Sequence, residues 1–84
     1  MKQVKPGMLA KSMAGHDKDT IYYIVKAEAD AVWLSDGRLK PVEDPKKKNL
    51  RHVQVIQKGT ESMPEHLTNE VVKRIIKLYQ RKES

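Results

Sequence analysis

The sequence contains no cysteine and no phenylalanine. No disulfide can staple the fold, so apolar packing must hold it; the lack of cysteine fits the expected cytoplasmic location and does not exclude a secreted protein. Aromatic residues are few, one Trp and three Tyr, and a chain this poor in them needs most of them inside. No stretch approaches the roughly 20 apolar residues of a membrane span. No apolar run follows residues 1–6 either, so no signal peptide is expected. A glycine-rich phosphate loop is missing: after Gly15 the next glycine is Gly37. The histidines His16, His52 and His66 have neither metal-site spacing nor a cysteine to join. His16 beside Asp17 matches an acid–base pair only in composition, and two polar residues in an exposed turn explain it better. The reading is therefore of a non-enzyme with no cofactor and no metal. Internal repeats and low-complexity tracts are also lacking.

The 84 residues allow one small domain with a thin core. Its organising stretch is 7–35, which reads as three short strands punctuated by turns. Residues 8–13 form the first, and Gly15, Asp17 and Asp19 mark the turn after it. Residues 20–27 are rich in β-branched and aromatic side chains. Alternation puts Ile21, Tyr23 and Val25 on one face and Tyr22 and Ile24 on the other, so both faces are apolar and the strand should be central. In residues 31–35, Val32 and Leu34 share a face opposite Ala31, Trp33 and Ser35. Asp36-Gly37 is a strong hairpin signal, predicting a fourth strand over 38–42 that Pro41 keeps at an edge. Residues 43–49, with Pro45 and three lysines, read as a loop. Residues 50–57 alternate again, Val53 and Val55 against His52, Gln54 and Ile56. Five short strands with no intervening helix point to a mainly β chain, a small antiparallel barrel or sandwich.

Beyond a break at 58–67 the period changes. A helical cap is conceivable at Ser62-Met63-Pro64-Glu65. A clearer helix spans 68–82, with Val71, Val72, Ile75, Ile76, Leu78 and Tyr79 at three- and four-residue spacing. Thr68 suits its cap and Glu70 its first turn. The stripe should pack on the strands, because so short a helix is marginal alone. The expected division is thus a barrel over 1–57, a linker over 58–67 and a packed amphipathic helix over 68–82.

The net charge of +6 is unevenly placed. Residues 1–44 balance, whereas 45–58 hold Lys46, Lys47, Lys48, Arg51 and Lys58 with no acid. A concentrated excess implies an anionic partner more strongly than a diffuse one. Lys46, Lys47, Lys48 and Arg51 on a loop suit phosphate contacts, with Asn49 and His52 setting orientation. His16 and Lys18 would join them if the two loops lie at one end of the fold. Trp33, Tyr22 and Tyr23 have the chemistry for base stacking, but the core has the stronger claim on them.

Gly7, the turn Gly15-His16-Asp17-Lys18-Asp19 and the alternation after it resemble a KOW motif, a segment built around a turn glycine in ribosomal proteins and transcription elongation factors. Asp36-Gly37, Pro45-Lys46-Lys47-Lys48-Asn49 and His52 resemble small stand-alone bacterial KOW proteins related to archaeal and eukaryotic large-subunit ribosomal proteins. The resemblance covers residues 7–57. It implies an SH3-like five-stranded antiparallel barrel and RNA binding. The expected partner is structured RNA, ribosomal RNA foremost, with ribosomal proteins nearby, and the chain is expected to act as a monomer. The chain departs from many relatives at Asp19, where they carry Gly. The alternative function is a protein-interaction module docking on a ribosomal or transcription protein, for which Ile75, Ile76 or Tyr79 would have to stay exposed.

Overall fold

The computed structural model describes residues 4–56 and 66–83. In chain order the elements are β1 (Leu9–Ser12), β2 (Ile21–Ala27), β3 (Ala31–Ser35), β4 (Lys46–Asn49), a 3₁₀ turn (Leu50–His52), β5 (Val53–Ile56) and α1 (Asn69–Glu83). The strands make one antiparallel sheet in the order β4-β3-β2-β1-β5, with β2 at its centre. The expected linker and the cap at 62–65 fall largely outside the described residues. Among the described residues no helix is long and apolar enough to cross a membrane.

The sheet must be strongly curled. β4 and β5 are its two edges, yet only the 3₁₀ turn joins them. Four inter-strand steps in a flat sheet would separate them by about 19 Å. A three-residue 3₁₀ turn advances only about 6 Å. Curling brings the edges together at that end, and a register shift between Ile24 and Lys26 on β2 adds to the bend. No ladder joins β4 to β5 among the described residues, so the sheet is curled but open.

Each face of the sheet buries its own cluster. Inside the curl lie Ala10, Tyr22, Ile24, Val32 and Leu34, closed by Met8, Leu50, Val53 and Val55 among others. Outside, Leu9 and Tyr23 pack with Val72 and Ile76 of α1, flanked by Ile75 and Tyr79. The face assignments on β2, β3 and β5 follow the alternation in the sequence. Thr68 Oγ1 accepts the Val71 N–H at 3.2 Å and caps α1 as expected. Ile76 is buried and Ile75 and Tyr79 are half-buried, while Leu78 faces solvent. Of the side chains that a protein-docking reading would keep exposed, Ile76 is covered and Ile75 and Tyr79 are partly covered by the sheet.

Two expectations for the middle of the chain are overturned. Residues 38–42 form no strand, and the lysine run is not a loop: Lys46–Asn49 is β4, paired with β3. The cause lies at Asp36-Gly37. Asp36 Oδ1 accepts the N–H groups of Arg38 and Lys40, at 2.8 and 3.0 Å. Buried Ser35 donates its hydroxyl to Lys40 O at 2.7 Å and accepts the Gly37 N–H at 3.1 Å. These bonds close a wider loop, and the chain pairs only after Pro45. Gly37 does take positive φ, at 75°. The space beside it is filled by α1, since a Cβ there would lie 2.5 Å from Asn69 O. Asn69 also accepts the Val42 N–H at 2.9 Å and donates to Glu43 at 2.9 Å. The loop is therefore a seat for the helix N-terminus.

Candidate nucleic-acid interface

The turn after β1 and strand β4 meet through one carboxylate. Asp19, at φ 74°, takes the left-handed conformation that glycine adopts most readily. The turn is closed by Asp19 N–H to Ser12 O and Thr20 N–H to Asp17 O, at 2.7 and 2.9 Å. It directs Asp17 inward and leaves His16 and Lys18 exposed on either side.

Inside, Lys48 spends all three ammonium protons. It donates to Ser12 Oγ at 2.6 Å, Ala14 O at 3.0 Å and Asp17 Oδ1 at 3.0 Å. Ser12 Oγ donates in turn to Asp17 Oδ1 at 2.9 Å, and the Tyr22 hydroxyl donates to Asp17 Oδ2 at 2.9 Å. Both charged side chains are nearly covered, 10% exposed for Lys48 and 13% for Asp17. Burial pushes the Asp17 pKa up. The hydrogen bonds from Lys48, Tyr22 and Ser12 and the Lys48 charge outweigh it, holding the carboxyl well below the usual carboxylate range. Burial first, then the bond to Asp17, raises the Tyr22 phenol well above its usual range.

The sequence-predicted residues therefore divide. Lys48 faces inward and is saturated. Lys46 shares that face, half-exposed, 3.5 Å from Asp17 Oδ2. Asn49 is exposed, and its Oδ1 accepts the Arg51 N–H at 2.9 Å, capping the 3₁₀ turn. Arg51 and His52 are exposed, and His52 O accepts the Met13 N–H at 2.9 Å. His16, Lys18, Lys46, Arg51 and His52 thus gather around one rim of the curled sheet. Lys47 points the other way, with its ammonium 5.4 Å from the centre of the Trp33 ring.

Sequence reasoning passed over Lys26, and it weighed Trp33 as a stacking surface but gave it to the core. Lys26 lies 4.6 Å from the Trp33 ring centre. Strict alternation would put Lys26 with Tyr22 and Ile24, but the register shift turns it to the outer face. Tyr22 and Tyr23 are each 1% exposed, as a core role requires. Trp33 is half-buried and belongs to neither core cluster.

Cations occur elsewhere too. A cleft of about 410 Å³ between α1 and the 36–40 loop is lined in part by Arg38, Lys73 and Lys77. Asp36 also lines it, and Lys73 pairs with Glu70 at 2.8 Å. On the rim, Asp17 is turned inward and Asp19 lies 3.7 Å from Lys11. Among the described residues no three His, Asp or Glu side chains gather as a metal site. No family model and no curated protein matches the chain.

Proposed function

We propose that the protein is a non-catalytic RNA-binding module of the KOW type, an SH3-like barrel with a docked C-terminal helix that binds structured RNA in the cytoplasm, ribosomal RNA foremost. One observation carries this reading. The acid nearest the basic rim, Asp17, is turned inward and held by Lys48 at 3.0 Å, with Lys46 at 3.5 Å from its other oxygen, while Arg51, Lys18 and His16 stand exposed around it. Exposed lysine and arginine side chains displace counterions from phosphates, which is the main source of affinity for nucleic acid. The meander β1-β2-β3-β4, the return of β5 to β1 and the curl of the sheet support this fold reading, with the sheet open between β4 and β5. The lysines on β4 also serve as protection for an exposed edge. That function predicts no dependence on RNA, and it separates the two readings.

The test is a salt titration on a ribosomal RNA fragment. Combined Lys18→Ala, Lys46→Ala and Arg51→Ala should lower the slope of log affinity against log salt by roughly two to three units, at roughly 0.7–0.9 per phosphate contact. It should weaken binding to all RNAs of similar shape. Equal slopes for wild type and variant would remove the rim from any RNA interface and bring the protein-docking reading forward.

A further inference from the structure

On the outer face, three strands line up one row of side chains. Lys26 on β2 pairs with Trp33 on β3, and Trp33 pairs with Lys47 on β4. Both ammonium groups lie over the indole, 4.6 and 5.4 Å from its centre. An indole is a large apolar surface that a fold of this size would ordinarily bury. Here the two tyrosines of β2 are buried, α1 rests on Leu9 and Tyr23, and the only Trp is left half-buried, outside both clusters. Lys47 has no carboxylate partner among the described residues, and the Lys26–Glu28 pair is loose, at 3.7 Å between two exposed side chains.

We infer that this row is a stacking platform for an unpaired base, with Trp33 taking the base and Lys26 and Lys47 the phosphates on either side. The inference rests on the RNA-binding reading and makes it more specific: the ligand is a single-stranded segment or loop. A base inside a duplex has both faces covered by its neighbours, so only an unpaired one can lie on a protein ring. The lysines occupy the indole through flexible stems and can swing to phosphates as the base arrives. The geometry of β4 connects platform and rim. It is an edge strand whose alternation sends Lys46 inward toward the rim and Lys47 outward to Trp33. A nucleic-acid strand crossing that edge meets both lysines in succession.

Because Trp33 is the only tryptophan, intrinsic fluorescence reads the platform directly. The full chain is titrated with a short single-stranded oligoribonucleotide and with a blunt duplex of the same sequence. Binding is followed independently by the anisotropy of labelled RNA. The single strand should quench the fluorescence to saturation, with the same midpoint as the anisotropy change, and the duplex should not. Trp33→Ala should weaken single-strand binding by roughly 5- to 150-fold, the worth of one stacked base, and Trp33→Phe should recover most of it. Glu28→Gln should tighten binding by freeing Lys26. Single-strand binding without quenching, and unaffected by Trp33→Ala, would overturn the platform and leave RNA binding standing. Binding of neither RNA would overturn both. The wild-type fluorescence arm decides the matter even if Trp33→Ala fails to fold.

Discussion

Lys48 Nζ and Asp17 Oδ1 lie 3.0 Å apart, joining an edge strand to the turn that follows β1. The two strands concerned, β4 and β1, are three steps apart in the sheet, roughly 14 Å if it were flat. The pair exists only because the sheet curls, and it helps to hold the curl. Removing one partner of a covered pair leaves an uncompensated charge. Asp17→Asn should therefore cost about 3 kcal/mol at neutral pH. The Asp17 pKa is lower in the folded chain, so its contribution is present above the unfolded value near 4 and is lost as pH falls below it. Wild type should lose stability through that acid range, and Asp17→Asn should show a flatter profile. Urea melts from neutral to acid pH measure both, and matching neutral-pH midpoints would show the pair to be structurally idle.

The Tyr22 hydroxyl serves the same carboxylate, and its pKa is raised by folding. The stabilisation it gives is complete below the unfolded value near 10 and declines as pH rises beyond it. Tyr22→Phe should cost about 1.5–3 kcal/mol, the range for a hydrogen bond to a charged group. It should also make the alkaline limb of the stability profile shallower. Thermal melts across alkaline pH test this, and parallel limbs for the two proteins would count against it.

Gly37 should tolerate no side chain. Its φ of 75° strains any other residue, and a Cβ would meet the Asn69 carbonyl and Lys73 Cγ at 2.5 and 2.8 Å. Gly37→Ala should cost about 2–5 kcal/mol from strain and overpacking together. Its particular signature should be faster amide exchange at the start of α1, because the helix loses its seat. A melting temperature equal to wild type would refute the docking of α1 on this loop.

The helix itself offers a contrast within one stripe. Ile76→Ala should cost about 2–5 kcal/mol because the side chain packs on Leu9 and Tyr23. Leu78→Ala should stay within about 0.5 kcal/mol, since that side chain is 55% exposed. Denaturant midpoints of the two variants provide the comparison, and equal losses would mean that the helix sits in another rotation.

Periodicity alone determined much of this protein. Alternation fixed which side chains of β2, β3 and β5 face together, because a strand has a period of two whatever its partner. Helical spacing and Thr68 fixed α1 and the stripe it buries. Charge counting found the segment on which the candidate interface lies. The remainder was decided by partners distant in sequence. The run Lys46–Asn49 has no apolar signal, and it is a strand because β3 has an edge to pair. Lys48 turned inward because the curl brought Ser12 and Asp17 within its reach. Asp36-Gly37 carries the local signature of a tight hairpin, but α1 occupies the space beside it and the Ser35 and Asp36 side chains close a wider loop. Trp33 was left outside the core by the position at which α1 settled, and Lys26 was turned toward it by one register shift. Local sequence sets backbone preference and face, whereas hydrogen-bond pairing and the balance of buried charge are settled only when the strands meet.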